Sequence, residues 1–318
     1  MMAEINHRCA VLGRPIAHSL SPVLHNAAYR ALHLDDWFYD RHEVGEDDLE
    51  RFLKGLDPTW AGLSLTMPLK KTIQPYGLPC DRWSKELMVA NTAVFDWKGA
   101  CRNGDESLPA IRLYNTDVRG IELAFEHSYD ARGSRPVSDH SCDAVIIGNG
   151  NTATSALAAC VGMPAVGHVT VIARHPDKNP ALEPLARKFL PGGDPINIVT
   201  MDHAAAALEK AAVAINTIPG HAADSIAAQL STSGRPMRGT LLDVVYDPRP
   251  TELMKAWRAQ GGTAIGGEEM LLYQAMVQVW LMTGAGNAPT SNASGAETRF
   301  ELDEGLEHAM RAALEEAL

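Results

Sequence analysis

An α/β fold in two units, the second of them doubly wound, is what this sequence predicts. Short apolar runs alternate with helix-forming segments along most of the 318 residues, a rhythm that gives mainly parallel sheets covered by helices. One continuous apolar run, Ala144-Val145-Ile146-Ile147, leads straight into a glycine-rich turn, as expected of a strand covered on both faces. The length suits two domains, and a composition of 46% apolar and 21% charged residues is that of a globular chain.

In the first unit, Cys9-Ala10-Val11-Leu12 reads as a buried strand running into a turn at Gly13-Arg14-Pro15. Ser21-Pro22 start a helix that runs to about Leu32, with Ser21 as N-cap and Pro22 at the first helical position. Trp37 to Asp40 is the next strand, Gly45 to Leu56 a helix, and Gly62 to Leu65 a third strand that ends at Thr66-Met67-Pro68. Val94-Phe95 and Arg112-Leu113 are further short strands.

The second unit begins near Cys142. Its expected elements are the Ala144–Ile147 strand, a helix from about Thr152 to Val161, and a strand at Val169–Ile172. Further strands are expected at Ile196–Val199, Val213–Ile215 and Leu241–Val244. Lys98–Leu108 and His127–His140 read as loops, and Gly284–Thr298 as a flexible connector. Leu302, Leu306, Met310, Leu314 and Leu318 recur every four residues and mark a terminal docking helix.

The net charge of -11 argues against a nucleic-acid partner, whose footprint is a basic face. No apolar run reaches the roughly 18 residues of a membrane span. Met1 to Arg8 lacks the apolar core of a signal peptide, so a cytoplasmic location is expected. Cys9, Cys80, Cys101, Cys142 and Cys160 are scattered with no CxxC pair, which reads as reduced structural thiols without a metal site.

The turn Gly148-Asn149-Gly150-Asn151-Thr152-Ala153 sits between strand and helix, the setting of a dinucleotide-binding fingerprint. The first glycine allows the tight turn and the second lets the backbone approach a pyrophosphate. Ala153 supplies the small residue needed for helix–strand packing, and the helix N-terminus offers free N–H groups to the anion. This unit is therefore expected to be Rossmann-like, with residues 148–153 in the cofactor site. Arg174 stands at the end of the following strand, where an acid would favour NAD; a guanidinium pairs instead with a 2′-phosphate and favours NADP. Asp177, three residues on, keeps NAD open as an alternative.

Polar motifs punctuate the strand ends of the first unit: Gly13-Arg14-Pro15-Ile16-Ala17-His18-Ser19-Leu20-Ser21-Pro22, Ser64-Leu65-Thr66-Met67-Pro68-Leu69-Lys70, Ala90-Asn91-Thr92 and Asn115-Thr116-Asp117. Their hydroxyls, amides, ammonium and carboxylate suit a small polyhydroxylated ligand. With Asn216-Thr217-Ile218-Pro219-Gly220, Asp243-Val244-Val245-Tyr246-Asp247-Pro248 and Met270-Leu271-Leu272-Tyr273-Gln274-Ala275, this ordered set resembles the shikimate dehydrogenase family over about residues 8–283.

The resemblance implies NADP-linked, reversible reduction of 3-dehydroshikimate to shikimate in aromatic amino-acid biosynthesis. It implies a substrate-binding domain at 1–118, completed by C-terminal helices 270–318, an NADP-binding domain at 119–269, and a substrate cleft between them. Ser19 and Ser21 would bind the substrate carboxylate, with Tyr246 as a further contact. Thr66, Asn91 and Gln274 would hold ring hydroxyls, and Thr217 and Val244 would join the cofactor site. Lys70 and Asp117 would be the catalytic pair, Lys70 as proton donor to the ketone oxygen. Lys71 and His18 are expected to be solvated or structural.

The chain departs from the family pattern at Ser64, where Asn is frequent, and at Asn151-Thr152 in the turn. His175 replaces a usual Thr, and Glu268-Glu269 precede Met270, where two carboxylates would disfavour an anionic ligand. A quinate/shikimate or amino-shikimate dehydrogenase using NAD is the alternative within the class. A non-catalytic dinucleotide or metabolite sensor is the alternative outside it. The expected partner is a small molecule, with the chain a monomer or homodimer.

Overall fold

The computed structural model describes residues 4–99, 108–133, 140–192, 195–284 and 300–318. In chain order the elements are β1 (His7–Gly13), α1 (Ser21–Ala31), β2 (Trp37–Glu43), α2 (Leu49–Lys54), β3 (Trp60–Leu65), α3 (Leu69–Thr72), β4 (Leu78–Pro79), α4 (Arg82–Leu87), β5 (Thr92–Asp96), β6 (Ala110–Tyr114) and α5 (Thr116–Arg132). There follow β7 (Cys142–Ile147), α6 (Asn151–Gly162), β8 (Val166–Ile172), α7 (Leu182–Phe189), β9 (Ile196–Val199), α8 (Ala204–Leu208), β10 (Val213–Asn216), α9 (Asp224–Ser233), β11 (Thr240–Asp243), α10 (Glu252–Ala259), β12 (Thr263–Ile265), α11 (Gly267–Met282) and α12 (Glu304–Ala317). Two compact units result: Met1–Thr116 with Gln274–Leu318, and Asp117–Tyr273.

The first unit holds a six-stranded sheet in the order β2-β1-β3-β5-β6-β4. β1 pairs in parallel with β2 and β3, whereas β5 runs antiparallel to both β3 and β6. The sheet is therefore mixed, with β5 the strand that runs against both of its neighbours. Register sets Ser64 opposite Thr92 and Cys9 opposite Tyr39. One apolar core gathers Leu12, Leu63, Leu65 and Leu113 with Leu49, Leu53 and Leu69 from the covering helices.

The second unit holds a fully parallel sheet in the order β12-β11-β10-β7-β8-β9, the doubly wound arrangement. Ala144 to Ile147 are all buried, as their unbroken apolar run requires. Trp257 and Leu253 of α10 close one face of the core over Val145 and Leu241.

Three expectations need correction. Ser21 is not the N-cap of α1: that position belongs to Leu20, and Ser21 is already helical, its N–H donating to Ser19 Oγ at 3.3 Å. The hydroxyl that serves the helix start is thus two residues earlier. Residues 127–132 are helix, not loop. Their polar composition is offset by an Arg119–Glu122–Glu126 ion-pair cluster, a Phe125–Tyr129 ring contact, and Arg132, which donates to Thr240 and Thr263 hydroxyls. Of the C-terminal stripe only Met310 and Leu314 are buried, while Leu302 and Leu318 are exposed. Leu302 and Leu318 lie just outside α12, so the ends of the stripe are not on the helix that packs on α1. The expected loops at 100–107 and 134–139 and the connector at 285–298 lie outside the described residues.

Candidate functional site

In the second unit the strand order reverses between β7 and β10, the point where open α/β sheets bind ligands beyond their strand ends. The turn 148–153 occupies it. Gly148 has φ +108°, and a Cβ there would stand 2.4 Å from Thr217 Oγ1, so both the backbone and the neighbour demand glycine. Thr217 itself donates its hydroxyl to the Ile147 carbonyl at 2.7 Å and closes the turn against β10.

Gly150 is different. Its backbone is extended, and an added Cβ would meet nothing within 4 Å. No side chain among the described residues caps α6, so its leading N–H groups are arranged to receive an anion. Ala153 is buried in the helix–strand contact. The Asn149 side chain is spent on the scaffold, donating to the His175 carbonyl at 2.7 Å. Asn179 donates to the Asn149 carbonyl and to Thr154 Oγ1, tying the turn to the segment after β8. Asn151 and Thr152 are half-buried at the helix start. Arg174, His175 and Asp177 are exposed beyond β8, as is Lys178, a cation that sequence reasoning passed over.

Asp243, at the end of β11, is fully buried. It accepts from Asn216 Nδ2 at 2.9 Å, Val245 N at 3.2 Å and Thr251 Oγ1 at 2.7 Å. Burial pushes its carboxyl above the usual range despite these donors. Through them it joins the loops that carry Thr217, Val244 and Tyr246. Burial, with the Asp247 charge next, raises the Tyr246 phenol. Glu268 is buried but paired with Arg249 at 3.1 Å, so its charge is answered within the unit.

In the first unit Ala90 and Asn91 anchor two segments at once. The Ala90 N–H donates to the Lys70 carbonyl at 2.9 Å. Asn91 Oδ1 accepts from the Thr116 N–H at 2.8 Å and from Thr92 Oγ1 at 3.0 Å. Asn91 Nδ2 donates to Thr116 Oγ1 at 2.9 Å and to Gln274 Oε1 at 3.4 Å. Lys70 and Asp117 are both buried; Lys70 follows directly on the first residue of α3, and Asp117 follows Thr116. Lys71 and His18 are exposed.

The remaining expected substrate residues lie on the loops after β1 and β3. The Thr66 N–H donates to the Leu12 carbonyl at 2.9 Å, and a Cβ on Gly13 would come within 2.4 Å of Thr66 Cγ2. Ser19 is half-buried and Ser21 buried, its side chain beside the Tyr39 hydroxyl. Ser19, Ser21, Thr66, Lys70, Asn91 and Gln274 thus share the first unit, and Tyr246 belongs to the second. Sequence reasoning missed Thr116, Asp243, Tyr39 and Gln278. Gln278 had a signal: it stands one helical turn from Gln274 in an otherwise apolar stretch.

A doubly wound unit with an open glycine turn, joined in one chain to a unit with a buried ammonium and amide cluster, defines a two-unit α/β dehydrogenase. The comparisons specify which. The profile for the shikimate dehydrogenase substrate binding domain matches residues 11–93. "Shikimate dehydrogenase (NADP(+))" of Halothermothrix orenii is 30% identical over 280 residues, covering 86% of this chain and 90% of that protein. The protein of the same name from Methanosarcina mazei is 32% identical over 284 residues, covering 86% and 91%. The crystal structure of Mycobacterium tuberculosis shikimate dehydrogenase aligns with a TM-score of 0.73 at 32% identity, covering 98% of this chain and 99% of that one. The chain belongs to the shikimate dehydrogenase family.

Proposed function

We propose that this chain catalyses the reversible, NADPH-dependent reduction of 3-dehydroshikimate to shikimate in aromatic amino-acid biosynthesis, in the cytoplasm, as a monomer or homodimer. Residues 1–118 and 270–318 would form the substrate-binding domain and residues 119–269 the NADP-binding domain. Relatives of similar length carry the name shikimate dehydrogenase (NADP(+)). The observation that carries the reading is the double anchor at Ala90-Asn91. It fixes the Lys70 segment through a backbone hydrogen bond and the residue before Asp117 through the Asn91 amide.

The residues fit the cofactor. The leading N–H groups of α6 and the clear space over Gly150 would take the pyrophosphate. Arg174, exposed beyond β8, would take the 2′-phosphate through its forked N–H groups. Bound NADPH supplies the hydride. Negative charge then gathers on the former ketone oxygen, and Lys70 answers it, first as a hydrogen-bond donor and then by giving up a proton. In the oxidative direction Lys70 takes the proton back. Asp117 orients the ammonium and a neighbouring hydroxyl. Ser19, Ser21 and Tyr246 would hold the carboxylate of the substrate; Thr66, Asn91 and Gln274 would hold ring hydroxyls, with Asn91 also placing Gln274.

One steady-state assay crossing NADP+ and NAD+ with shikimate and quinate tests the reading. The NADP+–shikimate pair should give the highest kcat/KM, since a site built to hydrogen-bond hydroxyls discriminates strongly between such substrates. Highest efficiency with NAD+ and quinate would replace this reading with its alternative.

A further inference from the structure

Ser64 stands where the family usually places an amide, yet its hydroxyl is committed elsewhere. Tyr39 Oη donates to Ser64 Oγ at 2.6 Å, and Ser64 Oγ donates to Gln278 Oε1 at 2.8 Å. Gln278 Nε2 then donates to Thr92 Oγ1 at 3.1 Å and to the Asn91 carbonyl at 3.3 Å. Thr92 Oγ1 donates to Asn91 Oδ1, and Asn91 Nδ2 donates to Gln274 Oε1. The donors therefore run head to tail from Tyr39 to Gln274. Every member from Tyr39 to Asn91 is buried.

We propose that Tyr39, Ser64 and Gln278 are positioning residues whose hydrogen-bond chain fixes the amide orientation of Asn91 and Gln274, and so selects the face that Gln274 offers to a substrate hydroxyl. The proposal rests on the functional reading above. Its physical basis is the asymmetry of the groups. An amide has a donor end and an acceptor end and can flip; a hydroxyl can rotate. The chain takes its sense from the end whose ring is held in place. Tyr39 is that end, giving its one proton to the hydrogen bond with Ser64, with Ser21 beside the same hydroxyl. Its phenol has one proton, and burial keeps it from ionising. Its ring is stacked on His25 with centroids 3.8 Å apart, and its backbone N–H and carbonyl are both held by the Asn26 side chain.

The fold makes the chain possible. Strand register sets Ser64 opposite Thr92, and the α-helical spacing of four residues stacks Gln278 over Gln274 on α11. With its proton committed to Gln278 and one lone pair to Tyr39, Ser64 serves as a link in the chain. Gln274 Oε1 faces Asn91, so its NH2 end faces the other way, as a donor.

The test is Tyr39→Phe, which keeps the ring and removes the terminal proton. Losing one oriented hydrogen bond should raise the KM for shikimate about ten-fold, with kcat within about two-fold and the KM for NADP+ unchanged, because the bond acts on substrate recognition alone. Gln278→Glu, which still accepts from Ser64 but cannot donate to Thr92, should give the same split. Adding Tyr39→Phe to Gln274→Ala should cost no more than about two-fold beyond Gln274→Ala alone, since both act through one amide. An unchanged shikimate KM in Tyr39→Phe, a parallel loss in the NADP+ KM, or full additivity with Gln274→Ala would overturn the proposal while leaving the functional reading intact. A wild type inert toward shikimate would overturn both.

Discussion

Around Asn91 the side chains of Thr92, Thr116, Gln274 and Gln278 satisfy one another, whereas at Gly150 the start of α6 finds no capping side chain among the described residues and a Cβ would find no neighbour. The two regions prepare for ligands in opposite ways. The amide cluster orients its polar groups before any ligand arrives, which suits a small ring bearing several hydroxyls. The glycine turn leaves backbone N–H groups in reserve, which suits an anion that any chain with the same backbone would bind. On the proposed function, selectivity for substrate would be written in side chains, and affinity for the pyrophosphate in backbone.

This contrast can be broken by experiment. The largest expected effect on stability concerns His25, which stacks on Tyr39 in the amide-bearing unit. Burial lowers its pKa to about 4, outweighing the Ser21 carbonyl and Gln278, which favour the charged ring. The titratable groups around it, Tyr29, Tyr39 and Cys9, are all held neutral by burial. A depressed folded-state pKa contributes stability above the unfolded value near 6.5 and loses it as pH falls toward 4. About 3 kcal/mol should disappear across that window. Denaturant unfolding at stepped pH should show a steeper loss in the wild type than in His25→Phe; identical slopes would remove His25 from the explanation.

The next contrast lies within the turn. Gly148→Ala should cost about 1–3 kcal/mol of stability, because φ is positive and Thr217 is in the way. Gly150→Ala should cost within about 0.5 kcal/mol, as an open surface position does, yet weaken NADP+ binding where the new methyl meets the pyrophosphate. Thermal unfolding alongside a cofactor titration separates the two, and equal stability losses would contradict the division of labour. The smallest effect on cofactor recognition is expected at Arg174. Arg174→Ala should raise the KM for NADP+ roughly ten-fold and leave NAD+ unaffected, the worth of a charge-assisted contact to one phosphate. Equal losses with both cofactors would place the guanidinium elsewhere.

The legibility of the molecule follows the same division. The β7 strand, the glycine turn and α6 form one contiguous stretch, and β9 lies where its apolar run placed it, because each depends on local pattern. The end of α5 escaped, since Ser128 and Asp130 resemble loop residues and the stabilising partners of Arg132 lie more than a hundred positions away. Ser21 was misread by one position because Ser19 and Ser21 offer the same chemistry at a helix start. Lys70, Asp117 and Asn91 could be singled out only by the ordered motifs; taken alone, each has an ordinary surface or turn role. Tyr39 was beyond reach, and Gln278 had only its spacing from Gln274 to mark it. Their link passes through Ser64, which is 214 residues from Gln278 in the chain, and no local periodicity encodes that meeting.

The most direct measurement of the central claim is the initial rate of shikimate-driven NADP+ reduction by the wild type and by Lys70→Ala at saturating concentrations, with NADP+ binding to the variant followed by equilibrium dialysis. Loss of the proton donor should lower kcat by about a thousand-fold while NADP+ binding is retained. Turnover by Lys70→Ala at the wild-type rate would contradict the assignment of Lys70 and, with it, the chemistry derived for the site.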